Sequence, residues 1–247
     1  MAATVDITIP VYNEEDALPS TIVRLTEFLE SHLPNPWQVT IADNASTDST
    51  QAVSEMLCRK HPGVNYLRIP QKGRGRALRT AWLDSQADIV SYMDADLSTD
   101  LSHFPQLIAA LESGSHIAVG SRLSKESQVS RGFKREFISR GYNLLINAMF
   151  FTGLPDAQCG FKALTRATAE AIVPSIKNNN WFFDTELLVI AAKRGFNIAS
   201  VPVKWIDDPT STVNVIGTAK EDVKGLLRLR FGGVPKVERP DHLSTSL

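Results

Sequence analysis

Two carboxylates flanking one small residue, Asp94-Ala95-Asp96, stand at the end of an apolar run over residues 88–96. Two anions that close repel unless a cation sits between them or one is protonated. Hard divalent cations such as Mg2+ or Mn2+ take carboxylate oxygens together with phosphate oxygens. Asp94 and Asp96 therefore read as metal ligands whose remaining partners are phosphates, with Ala95 between them against the same substrate. The plainer alternative is that Asp96 or Asp100 only caps a following helix.

Three other strand ends carry ligand-type residues. Pro10-Val11-Tyr12-Asn13-Glu14 closes the first: Pro10 turns the chain, Tyr12 can stack on a base and Glu14 can bind it. Asp43 closes the second and can accept hydrogen bonds from a base or ribose, or cap the helix announced by Ser46, Thr47 and Asp48. Lys72-Gly73-Arg74-Gly75-Arg76 follows the third. Its glycines let backbone amides approach an anion, and Lys72 and Arg76 neutralise phosphate. Together the four ends describe a pocket for a nucleoside diphosphate with a metal at its floor.

These residues need a scaffold, and the first half of the chain supplies one. Apolar runs at 5–11, 38–43, 64–69, 88–96 and 116–122 alternate with helical stripes, the first bearing Leu18, Ile22, Leu25 and Leu29 behind an Asn13 cap. Alternation of this kind implies an α/β fold with a mostly parallel central sheet and helices on both faces. In the second half the pattern predicts helices over 132–151, 165–173, 184–194 and 218–230, and one alternating strand over 197–206. Trp181 and Trp205 read as core residues. The tail from Gly232 is polar, contains two prolines and reads as disordered.

The 247 residues fit one large α/β domain, and a net charge of −1 names no partner. Two distant cysteines, Cys58 and Cys159, give neither a disulfide framework nor a zinc spacing, and a reducing, cytoplasmic setting follows. No signal peptide is legible at the start. The longest uncharged run, 142–154, falls short of the roughly 20 apolar residues of a spanning helix. Any meeting with a membrane is expected to be peripheral.

The ordered blocks PVYNE (10–14), DNASTDST (43–50), KGRGRALRTA (72–81), DAD (94–96) and GSR (120–122) resemble the inverting family 2 glycosyltransferases of the GT-A fold. DAQCGFKA (156–163), WFFDTELL (181–188) and VPVKW (201–205) resemble the dolichyl- and polyprenyl-phosphate branch. With LLRLRF (226–231), these blocks look closest to its β-glucosyltransferases. The resemblance spans about residues 5–231, and implies a single GT-A-like domain over 1–231. In it, residues 1–122 form the nucleotide-binding part and 123–231 the acceptor part, followed by a tail over 232–247. It further implies that Asp43 and Glu14 hold uridine, and that Asp94 and Asp96 bind donor and metal, Asp96 more directly. Gln158 and Asp184 would lie near the transferred sugar, and Arg122, Arg131 and Arg135 would meet the lipid phosphate.

The acceptor can also be read from the residues. Arg122, Lys125, Arg131, Lys134, Arg135 and Arg140 precede the uncharged run 142–154, opposed only by Glu126 and Glu136. A cationic cluster beside an apolar surface suits a phosphate head with a hydrocarbon tail. A phosphate monoester is mostly dianionic at pH 7 and attacks without losing a proton. A sugar hydroxyl needs a base. Asp184 and Glu186 then orient sugar hydroxyls, whereas a saccharide acceptor would make Asp184 the base. The expected activity is transfer of a hexose, glucose favoured, from UDP-glucose to a polyprenyl phosphate at the cytoplasmic face of a membrane, with no nucleic-acid partner. Its alternatives are GDP-mannose as donor, a saccharide acceptor, a nucleotidyltransferase, or a non-catalytic nucleotide-sugar or membrane binder.

Overall fold

The computed structural model describes residues 2–130, 133–206 and 215–240, with the side chains of 133–135 and 215–216 outside that description. Among the described residues nine strands and eight α-helices follow one another. They are β1 (Val5–Val11), α1 (Leu18–His32), β2 (Trp37–Asn44), α2 (Thr50–Lys60), β3 (Val64–Ile69), α3 (Arg74–Asp84), β4 (Ile89–Met93), α4 (Phe104–Glu112) and β5 (Ile117–Ser121). There follow β6 (Gln128–Ser130), α5 (Phe133–Phe150), β7 (Phe161–Thr165), α6 (Arg166–Ile172), α7 (Phe183–Lys193), β8 (Ile198–Pro202), β9 (Lys204–Ile206) and α8 (Val215–Gly232).

Seven strands form one sheet in the order β3-β2-β1-β4-β7-β5-β8. All its pairings are parallel except those of β7, which runs antiparallel to both β4 and β5. Strands β4, β5 and β7 are buried at every position. Successive side chains point to opposite faces, so such runs require cover on both. This is the mostly parallel, doubly covered sheet the alternation predicts.

In α1 the stripe Leu18, Ile22, Leu25 and Leu29 is fully buried, at about 1.5–3 kcal/mol of transfer free energy per side chain. The helix does not start on an Asn13 cap. Asn13 takes a left-handed φ of 56°, and its Oδ1 accepts from the Thr47 amide at 2.8 Å. The helix opens at Leu18, with a proline in its first turn.

The single strand expected over 197–206 is two strands. β8 pairs with β5 and ends at Pro202, which has no N–H to continue the ladder. β9 then pairs in parallel with β6 in a separate two-stranded sheet. The tail also differs from expectation. α8 runs to Gly232, and residues 233–240 lie against the body: Val234 and Val237 pack on the core, Arg194 Nε donates to the Pro235 carbonyl at 2.7 Å, and Arg239 donates to the Gly195 carbonyl at 2.8 Å. Residues 241–247 lie outside the described residues.

Candidate active site

Parallel strands bring their carboxyl ends to one edge, where ligands of open α/β sheets collect. Asp94 and Asp96 follow β4 there. Asp96 is exposed, and its Oδ1 accepts from the Ser98 amide at 2.9 Å. Asp94 is half-buried and pressed against Gly160: a Cβ on that glycine would lie 1.8 Å from Asp94 Oδ2. Ala95 is buried, and its carbonyl accepts from Thr21 Oγ1 at 2.6 Å.

The residue that organises this edge is Arg74, at the start of α3. One arm of its guanidinium donates to Asp94 Oδ1 at 2.7 Å and the other to Asp184 Oδ2 at 2.7 Å. Its plane lies 4.8 Å from the centre of the Tyr92 ring and 4.7 Å from that of Trp181. Trp181, expected in the core, is 40% exposed and covers Arg74 from the solvent side. Two glycines allow the approach. Gly73, at φ 150°, lets the chain turn beside the Asn179 carbonyl, and Gly75 leaves no room for a Cβ against Phe183.

Asp184, in the first turn of α7, is buried and fully engaged. Besides Arg74, it accepts from Tyr92 Oη at 2.6 Å and pairs with Lys162 Nζ at 3.1 Å. Burial alone would raise its pKa, but Lys162, Arg74 and the Tyr92 hydroxyl outweigh that and hold it below the ordinary carboxylate value. Lys162 is a fully buried lysine in β7, and Asp184 is its counter-charge.

On the donor side, Tyr12 lies under Lys72, whose Nζ is 3.5 Å from the ring centre. Pro10 is half-buried at the end of β1, the Glu14 amide donates to Thr50 Oγ1 at 2.9 Å, and Arg76 is half-buried in the first turn of α3. Asp43 is fully buried. It accepts from the Ser46 amide at 2.8 Å, from Tyr66 Oη at 2.8 Å and from Arg68. Burial pushes its pKa up, but these hydrogen bonds bring it below the ordinary value. A nucleoside reaching Asp43 must compete with Arg68.

Two sequence expectations change. Arg122 is not a free cation for a phosphate. Its guanidinium meets Asp156 through two hydrogen bonds, Nε to Oδ2 at 2.9 Å and Nη2 to Oδ1 at 3.0 Å, in a buried pair. Glu186 does not face a sugar. It is fully buried, accepts from the amides of Lys177 at 3.1 Å and Asn178 at 3.0 Å, and pairs with Arg228 at 2.7 Å. It ties the loop before α7 to α8. Arg131 and the side chain of Arg135 lie outside the described residues. Gln158 is half-buried, and its Nε2 donates to Asp222 Oδ2 at 3.1 Å. Cys159 is buried, with its thiol pushed up to about 12 by burial, as suits an unreactive cysteine.

Sequence reasoning passed over Arg74, Tyr92, Lys162, Asp156 and Asp222. A signal existed for two of them. A lone lysine between Phe161 and Ala163 in an apolar strand requires a buried acid. A lone aspartate in register with Leu226 and Leu229 on one helix face marks an inward carboxyl.

Could this edge hold a metal? Among the described residues no group of three or more His, Cys, Asp or Glu converges. Asp94 and Asp96 offer only oxygen ligands, and each has one oxygen held by a protein donor, Arg74 or the Ser98 amide. They fit a hard cation that draws its other ligands from phosphate and water.

Residues 6–173 match the sequence model described as glycosyl transferase family 2. The chain belongs to that family. The similar relatives include glycosyltransferase AglD of Haloferax volcanii, 34% identical over 86% of this chain and 34% of its own length. Dolichyl-phosphate beta-glucosyltransferase ALG5C of Trichomonas vaginalis is 31% identical over 90% of this chain and 67% of its own. The dolichyl-phosphate beta-glucosyltransferase of Mus musculus is 32% identical over 81% and 67%. The chain thus spans about a third of the first relative and about two thirds of the other two. Among solved structures, glucosyl-3-phosphoglycerate synthase from Mycobacterium tuberculosis in complex with UDP superposes with a TM-score of 0.70 at 21% identity, over 95% of this chain and 82% of that one. The same synthase with Mn2+ and UDP-glucose gives 0.66 at 19% identity, over 95% and 80%. This family 2 chain therefore has the GT-A fold.

Proposed function

We propose that the chain transfers a hexose from a nucleotide sugar to a polyprenyl or dolichyl phosphate, with UDP-glucose the favoured donor. Direct displacement inverts the anomeric carbon and leaves a β-linked lipid-phosphate sugar.

The observation that carries this reading is the locked state of Asp184. A saccharide acceptor needs a general base, and Asp184 is the carboxylate the sequence offers for it. It is buried, paired to Arg74 and Lys162, and held below the ordinary carboxylate pKa. A carboxylate so held is a weak base and has no free path to an incoming hydroxyl. A lipid phosphate needs no base. Its dianionic oxygen forms the new bond to the anomeric carbon while the bond to the nucleotide diphosphate breaks. The electron pair leaves with the diphosphate. The dolichyl-phosphate glucosyltransferases among the relatives support the same acceptor class.

The residues take these parts in the proposal. Asp94 and Asp96 hold a divalent cation, Mg2+ or Mn2+. Such a cation offsets charge on the departing diphosphate. Pro10, Tyr12, Glu14, Asp43 and Ala95 line the nucleoside, and Lys72 and Arg76 lie beside the phosphates. Gln158 positions the sugar, Asp184 acts on it only through the Arg74 it holds, and Arg131 and Arg135 receive the lipid phosphate.

The membrane-facing surface is the outer side of α5 and α8, which pack together. It exposes Phe137, Leu144 and Phe151 from one helix and its end, and Val223, Leu227 and Phe231 from the other, with Phe151 85% and Phe231 81% exposed. Exposed Arg140, Lys220, Lys224 and Arg230 lie among them. An apolar face rimmed by cations suits an anionic bilayer surface. No helix among the described residues is long and apolar enough to cross a membrane.

The test is radiolabelled transfer from UDP-glucose and GDP-mannose to polyprenyl phosphate and to saccharides, with divalent metal or with EDTA. Metal-dependent transfer from UDP-glucose to the lipid is expected. A preference for GDP-mannose would reassign the donor, and transfer to saccharides alone would overturn the acceptor.

A further inference from the structure

α8 turns one acid inward. Asp222 is 3% exposed, and its Oδ2 accepts from Gln158 Nε2 at 3.1 Å. Its Oδ1 is enclosed and has no hydrogen-bond partner. Tyr142 of α5 approaches the same carboxyl, and its hydroxyl lies 3.2 Å from Thr185 Oγ1, beside Asp184. Among the described residues, the ionised groups that bear on Asp222 are Glu221 on its own helix and Asp184 on α7. Both are negative. Among the described side chains the titratable group from α5 is Tyr142, and the loop before β7 contributes the neutral Gln158. Burying a carboxyl with no cation beside it costs stability. The other buried acids at this edge, Asp156 and Asp184, each have one.

We propose that Asp222 is a positioning residue that fixes the Gln158 carboxamide with its nitrogen inward and its carbonyl toward the donor sugar, ready to accept from a sugar hydroxyl. The role of the sugar rests on the proposed function; the orientation of the amide does not. A carboxylate only accepts hydrogen bonds, so ionised Asp222 selects the N–H side of the amide. A protonated Asp222 can donate to Gln158 Oε1 instead. The amide then turns, and the sugar meets an NH2 group where it had an acceptor. Burial, with Glu221 and Asp184, pushes the Asp222 carboxyl up to about 6, so the reversal falls just below neutral pH. Because Oδ1 is enclosed, Asp222 is no base for an incoming group and acts through Gln158.

The experiment follows the Gln158 side-chain amide by 15N NMR in the full chain from pH 5 to 7.5, assigned by its loss in Gln158→Leu. In wild type its shift is expected to titrate with a midpoint near about 6, and in Asp222→Asn to stay flat. An amide that does not titrate in wild type, or titrates alike in both, overturns the proposal. A second measurement compares kcat for transfer from UDP-glucose to polyprenyl phosphate in the two proteins. Asn still accepts from the Gln158 amide, so kcat at pH 7.5 is expected to fall by less than roughly tenfold, the worth of one altered hydrogen bond. The wild-type to variant ratio is expected to change through about pH 6; the acceptor phosphate titrates in both assays and cancels. A constant ratio counts against the proposal. A titrating amide in a protein that glucosylates no lipid phosphate would overturn the proposed acceptor and leave the Asp222–Gln158 relation standing.

Discussion

Arg74 and Asp184 are joined by a 2.7 Å ion pair although 110 residues separate them in the chain. The other arm of the same guanidinium holds Asp94. One side chain from α3 thus sets the position of a proposed metal ligand after β4 and of an acid on α7.

Replacing Arg74 by Ala leaves two carboxylates without their shared cation. Breaking a buried pair from one side costs about 3–5 kcal/mol. The denaturant midpoint is expected to fall, and turnover to drop by more than roughly 100-fold as Asp94 loses its orientation. Arg74→Lys supplies one point charge and cannot reach both acids as a fork does, so its losses should be intermediate. A variant with wild-type stability and turnover would contradict the bridge.

Gly160→Ala tests Asp94 alone. The added methyl would sit 1.8 Å from Asp94 Oδ2, so the carboxylate must move. Displacement by about an ångström near the reacting atoms costs on the order of 100-fold in rate. Turnover measured against Mg2+ concentration should fall and require more metal. Unchanged metal dependence would show that Asp94 takes no part in cation binding.

Glu186→Ala should weaken the fold. The change removes the acceptor of two part-buried backbone amides and the counter-charge of Arg228, toward the low end of about 1–3 kcal/mol for each group left unsatisfied. Urea unfolding should reveal the loss, while UDP binding to the folded variant is retained. Full stability with abolished transfer would return Glu186 to the substrate.

The fold should also respond to pH in two opposite ways. Asp222 is pushed up to about 6, above its unfolded value, so the folded state binds its proton more tightly than the unfolded state does. Stability from this group is present at low pH and is lost as pH rises from about 4 through 6, to the order of 2 kcal/mol. Asp43, Asp156 and Asp184 are held below the ordinary value, and their contribution is lost as pH falls below about 4. Denaturation curves of wild type and Asp222→Asn from pH 4.5 to 7.5 should diverge as pH rises, the variant becoming relatively the more stable. Parallel curves would refute the shift.

The first half of the fold was legible because each strand and helix there forms from local pattern, and acids after apolar runs announce the ligand edge. β7 was not, since FKALT is a short apolar stretch whose neighbours, β4 and β5, lie far back in the chain. Charges were misjudged for the same reason. Counting basic residues from Arg122 onward takes no account of Asp156, 34 positions later, which neutralises it. Arg74 stood inside a recognised motif, but its two partners come from β4 and α7. Asp222 pairs across 64 residues. Sequence spacing reports helix faces and strand ends; it does not report which distant charge fills which cavity.

The reversed strand β7 sits between β4 and β5, so a strand from beyond residue 122 is built into the sheet of the first part of the chain. Severed after residue 122, the first part would keep β4 as a raw edge, with unpaired amides inviting aggregation. Neither part is a portable cassette. Exchanging acceptor specificity with a relative by splicing at that boundary would need a grafted strand whose register matches β4 and whose lysine still finds Asp184. Evolution of new acceptors in such a chain is expected to proceed through loops and helix surfaces, with the shared sheet inherited whole.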